Sequence, residues 1–112
     1  MTSDMSGKTV VVTGAAGGVG AAVARRFAEA GATLVLGDLN AVALEDLCGR
    51  LAALTEVHGV TCDVSSIADI ENLMAEAAGA TGRIDVLVNT AGLWVEGATE
   101  DMSGPIGTGW WT

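Results

Sequence analysis

Two periodicities alternate along the chain. Short runs of β-branched and aliphatic residues at Thr9–Thr13, Thr33–Asp38, Glu56–Cys62 and Ile84–Asn89 read as strands. Between them apolar residues recur at three- and four-residue spacing, the period of an amphipathic helix. The first helix opens near Gly18 and carries Val19, Val23, Phe27 and Ala30 on one face, with Gly31 suited to a left-handed stop. The second follows Asn40 as N-cap and presents Leu44, Leu47, Cys48, Leu51 and Leu54. The third opens at Ser66, with Asp69 three residues on as a capping box, and presents Ile67, Ile70, Leu73, Met74 and Ala77. Strict alternation of strand and helix predicts βαβ units around a parallel sheet, an α/β fold. Right-handed crossovers wind the first three strands outward as 3-2-1 and send the fourth to the far side of the first. The expected sheet order is 3-2-1-4, with a crevice between strands 1 and 4 at the carboxyl ends of the strands.

A glycine-rich run, Thr13-Gly14-Ala15-Ala16-Gly17-Gly18-Val19-Gly20, joins the first strand to the first helix. Without side chains at Gly14, Gly18 and Gly20 the backbone can turn tightly, approach a pyrophosphate and pack the helix close to the sheet. The helix N-terminus offers N–H groups and a positive dipole end to phosphates. Gly14, Ala16, Gly18, Val19 and Gly20 are therefore candidate dinucleotide contacts. Asp38 ends the second strand 18 residues after Gly20, followed by Leu39. Its carboxylate can accept hydrogen bonds from ribose hydroxyls and repels a 2′-phosphate, so NAD is expected in preference to NADP. A turn-capping Asp is the alternative reading of the same residue.

Composition narrows the partners. The chain has 112 residues, is half hydrophobic, and has a formal charge of −9 with 14 acidic residues. It has no basic cluster, so neither nucleic acid nor a membrane surface is an expected partner. The apolar stretch at Val10–Val12 is too short for a signal segment or a membrane span, and a cytoplasmic location is expected. Cys48 and Cys62 have no Cys-x-x-Cys spacing and read as reduced thiols, with no metal site. Gly7-Lys8-Thr9 precedes a strand instead of following one, which excludes a P-loop. His58 is the only histidine and stands in no catalytic arrangement. A methyltransferase is a weaker reading, because its glycine loop is built differently.

Two further strand ends complete the pattern: Cys62-Asp63-Val64 and Asn89-Thr90-Ala91-Gly92. Together with the T-G-x-x-x-G-x-G spacing, they resemble the short-chain dehydrogenase/reductase family in its NAD-binding subgroup, over about residues 8–103. The resemblance implies a Rossmann-type domain, represented here by its N-terminal half, and hydride transfer between a nicotinamide cofactor and an alcohol or carbonyl. It also implies that Asp63 and Val64 meet the adenine. The segment Asn89, Ala91 and Gly92 would steady the sheet beside the cofactor, Asn89 having a purely structural role as its alternative. Thr90 departs from the usual Asn-Asn-Ala-Gly. The family is typically homo-oligomeric, though most of the usual interface would lie outside this chain.

The family's chemistry comes from a Ser and a Tyr-x-x-x-Lys pair. This sequence has no tyrosine, its lysine is Lys8, and no serine is assignable, so no catalytic residue is named and the chain is expected to be silent alone. A non-catalytic NAD-binding or interaction module is the alternative. Residues 1–7 are expected to be disordered, 8–103 to form the partial domain, and 104–112 to be irregular. Trp94 and Glu96 are candidates for the start of a substrate pocket, or exposed loop residues. Back-translated and read two bases later, Ile106 to Thr112 can encode Trp and Asp and then Val-Asp, a run similar to the family's continuation. A lost reading frame after Ser103 is thus expected, and a bare Ile84–Val88 edge should favour self-association.

Overall fold

The computed structural model describes residues 4–90. Within them lie four strands, β1 Thr9–Thr13, β2 Thr33–Asp38, β3 Val57–Thr61 and β4 Val86–Asn89, and three helices, α1 Gly18–Glu29, α2 Ala41–Leu51 and α3 Ile67–Thr81. All pairings are parallel and the order is β3-β2-β1-β4, as the alternation of periods predicts. β1 is central and lies buried along its whole length, which explains its unbroken apolar run. Val10, Val12, Leu34 and Leu36 face α1 and α2 in one core layer. Val11, Val35 and Cys62 face Leu73 and Ala77 of α3 in the other.

Several expected boundaries and faces are corrected. In α1 the residues buried against the sheet are Gly20, Ala24 and Ala28, not Val19, which is 69% exposed. Val23 and Phe27 pack only partly, at the flank. Small residues win the buried stripe because they let the helix axis come close to the strands. In α2, Leu44, Leu47 and Leu51 are buried and Cys48 is half-buried, while Leu54 lies beyond the helix end and is exposed. In α3, Leu73 and Ala77 are buried and Ile67 is exposed.

Glu56 and Cys62 fall outside β3, and Ile84 and Asp85 outside β4. Main-chain bonds still tie three of these ends to neighbouring strands: Leu34 N to Glu56 O, Cys62 N to Asp38 O and Asp85 N to Thr9 O. Met5 N donates to Ala30 O at 2.8 Å, Lys8 N closes a turn onto Met5 O, and Met5 packs on the core.

Helix ends show which signals operate. Asn40 Oδ1 accepts Ala43 N at 3.0 Å, and Ser66 Oγ accepts Asp69 N at 3.2 Å. The capping box at α3 is only half formed: the Asp69 carboxylate accepts from Asp63 N at 2.9 Å, and Ser66 N turns to Asp63 O. Gly31, at φ +92, takes the left-handed turn after α1.

Candidate functional site

The carboxyl ends of the strands open onto a groove of about 450 Å³. Its walls are the β1–α1 loop (Gly14, Gly17, Gly18, Val19, Gly20), the end of β2 (Asp38, Leu39), the turn after β3 (Cys62, Asp63, Val64) and Thr90 after β4. Eight residues expected from sequence thus share one wall or another: Gly14, Gly18, Val19, Gly20, Asp38, Leu39, Asp63 and Val64. Ala16 and Asn89 do not line the groove but support it. Ala91, Gly92, Trp94, Glu96 and residues 104–112 lie outside the described residues.

The glycines divide the work. Gly14 sits at φ +69, which makes the turn. A Cβ on Gly20 would stand 2.1 Å from the Gly14 oxygen, so α1 and the loop touch backbone to backbone. A Cβ on Gly18 would meet no atom within 4 Å; at this wall of the groove glycine leaves room for something outside the chain.

The loop amides are unequally available. Ala15 N donates to Gly37 O, Ala16 N to Asp38 Oδ2 at 2.9 Å, and Gly17 N to Gly14 O. The first amides of α1 have no acceptors within the helix, its cap Gly17 offers no side-chain oxygen, and no acidic residue sits in its first turn. Gly18, Val19 and Gly20 therefore present the anion-accepting end.

Asp38 is set by two bonds, Ala16 N to Oδ2 and Asn40 N to Oδ1 at 2.8 Å. The turn-capping role and the groove-lining role coexist, one lone pair of each oxygen serving the fold. Asp63 turns Oδ1 to Ser65 N and Ser65 Oγ at 2.9 and 2.6 Å, which holds its carboxyl below the usual range. Cys62 lies at the floor of the groove, 2% exposed, and burial with the nearby Asp69 and Asp63 charges pushes its thiol up, away from the reactive thiolate. Asn89 Oδ1 accepts from Thr13 Oγ1 at 2.8 Å, a link between β4 and β1.

Thr90, Gly17 and Cys62 are groove residues that the sequence pattern does not single out as contacts. Only the glycine run and the strand end carry a signal for them. His58 Nε2 sits 2.6 Å from Glu56 Oε2 on the β3 edge strand, outside the groove. Among the described residues no group of three His, Cys, Asp or Glu could hold a metal ion, and no helix is long and apolar enough to cross a membrane.

The short chain dehydrogenase family model matches residues 8–105. D-threitol dehydrogenase of Mycolicibacterium smegmatis is 40% identical over 100 residues, covering 88% of this chain and 38% of that protein. A short chain dehydrogenase/reductase from Burkholderia phymatum, solved in complex with NAD, superposes with a TM-score of 0.72 at 40% identity, over 75% of this chain and 30% of that one. A 3-ketoacyl-(acyl-carrier-protein) reductase from Brucella melitensis complexed with NADH gives 0.70 at 31%, over 75% and 34%. The chain thus spans about two fifths of the length of the curated relatives it matches. On the match across residues 8–105 and these relatives, the chain belongs to the short-chain dehydrogenase family.

Proposed function

We propose that this chain is the nucleotide-holding part of an NAD-dependent short-chain oxidoreductase and binds NAD without turning over substrate by itself. The observation that carries this is the groove, where open α1 amides, a side-chain-free Gly18 and the fixed Asp38 carboxylate share one cavity. These residues fit a dinucleotide. Gly18, Val19 and Gly20 would meet the pyrophosphate, with Ala16 holding the loop to Asp38. Asp38 would accept from the adenosine ribose, with Leu39, Val64 and Asp63 around the base. Asn89 would keep β4 in register beside the cofactor, and Ala91 and Gly92 are proposed to follow it there. When bound, the cofactor supplies the hydride; the chain's own residues bind and orient.

The preference for NAD over NADP follows from the groove's charge. Its described lining holds two carboxylates and no Lys or Arg, so a 2′-phosphate near Asp38 would meet repulsion with no cation to offset it. The proposed reaction class is oxidation or reduction of an alcohol–carbonyl pair, completed by residues other than those described. A non-catalytic NAD-binding module is the second reading, since the described groove accounts for holding a nucleotide and for no step of the reaction. Calorimetric titration of the chain with NADH and NADPH, with and without Asp38→Ala, tests the proposal. Saturable NADH binding, weaker NADPH binding, and a narrowed gap in Asp38→Ala are expected. Equal affinity for both nucleotides in the unaltered chain, or no binding, would overturn it.

A further inference from the structure

We propose that Thr90 is a positioning residue for the glycine loop, fixing the Gly14 carbonyl so that the α1 amides stay open to a phosphate; this rests on the dinucleotide reading of the groove. Gly14 is left-handed, at φ +69, and without a Cβ the peptide that follows it has several accessible orientations. What the Gly14 oxygen meets selects among them. Gly17 N donates to it at 3.2 Å and Thr90 Oγ1 at 3.1 Å. The same hydroxyl reaches Thr13 O at 2.8 Å, so its single proton is shared between two consecutive carbonyls. Thr90 N also donates to Thr13 O, at 3.1 Å.

The loop is therefore tethered on both sides. β2 holds Ala15 N and Ala16 N through Gly37 O and Asp38, and the end of β4 holds the Gly14 carbonyl through Thr90. That carbonyl also lies against the Cα of Gly20, where a Cβ would come within 2.1 Å of it. Rotating the Gly14–Ala15 peptide consequently disturbs the first turn of α1. A carbonyl turned toward the groove would place partial negative charge where the anion is held.

The test uses Thr90→Val, which removes the hydroxyl at similar shape, and Thr90→Ser, which restores it, in the full chain. Amide hydrogen exchange is measured without ligand, and affinity is measured for NADH, ADP-ribose and adenosine. Thr90→Val is expected to speed exchange at Ala15, Ala16 and Gly17 about tenfold, the size of one lost hydrogen bond, with Val11 and Val35 unchanged. It should weaken NADH and ADP-ribose by a similar factor and leave adenosine alone, with Thr90→Ser close to the unaltered chain. Unchanged loop exchange in Thr90→Val, or a rise spread equally through β1, would overturn the proposal. Failure of the unaltered chain to bind either nucleotide would overturn the dinucleotide reading instead, and loop exchange would still decide whether Thr90 holds the loop.

Discussion

Gly20→Ala is the substitution with the sharpest structural consequence. The added methyl would stand 2.1 Å from the Gly14 oxygen and 2.8 Å from both the Gly14 carbonyl carbon and Ala15 Cα. All three are backbone atoms, so no side chain can swing away. A carbon–oxygen contact settles near ~3.3 Å, so α1 and the loop must part by roughly 1 Å. Overpacking costs about 1–3 kcal/mol, a clash with three backbone atoms falls at the upper end of about 2–3 kcal/mol, and alanine's better helix propensity returns about 1 kcal/mol. The expected net loss is about 1–2 kcal/mol, or roughly 4–16 °C in melting temperature for a domain of this size. Because the displaced atoms carry the α1 amides, NADH affinity should fall at temperatures where the variant is still folded. Gly79→Ala is the control: it is helical, exposed and has nothing within 4 Å of its added Cβ, so it should stabilise by about 0.5–1 kcal/mol. Thermal melts followed by circular dichroism, with NADH titration, compare the two. A Gly20→Ala chain as stable as the original and binding NADH equally would refute the close approach of loop and helix.

Two further outcomes follow from packing and charge. Leu73→Ala empties a fully buried position between α3 and the sheet and should cost about 2–5 kcal/mol, read as a lower urea midpoint; a midpoint unchanged within error would contradict the second core layer. The Arg83 guanidinium and then Thr9 N–H hold the Asp85 carboxyl below its ordinary value of 3.8. Its folded value being depressed, the stability it contributes is complete above the unfolded value and disappears as pH falls through the folded one. Urea midpoints of the unaltered chain and Asp85→Asn should therefore differ at pH 6 and converge toward pH 3, whereas a gap that widens on acidification would contradict the assignment.

Much of this fold is legible in the sequence because the signals are local. The run from Val10 to Val12 is apolar on every residue, as a strand buried on both faces requires, and Asn40 and Ser66 announce helices that they do cap. The buried face of α1 escapes the same reading for a physical reason. Hydrophobic periodicity gives weight to large residues such as Val19 and Phe27, whereas a helix lying close on a sheet selects Gly20, Ala24 and Ala28. The glycine loop and Asp38 are legible because their spacing reflects a single βαβ unit. Thr90 is not, since its hydroxyl bonds to the carbonyls of Thr13 and Gly14, and a main-chain acceptor leaves no mark on residue identity. Asp69 likewise has the right spacing for a reciprocal cap, yet its carboxylate serves Asp63 N, a partner set by the turn after β3.

The most direct test of dinucleotide binding in the groove is an amide chemical-shift map of the isotope-labelled chain titrated with NADH. Saturable shifts should gather at Gly14, Gly17, Gly18, Val19, Gly20, Asp38, Leu39, Asp63, Val64 and Thr90, with His58 and the α2 face around Glu45 unmoved. Shifts centred on the β3 edge or on α2, or none at saturating NADH, would contradict it.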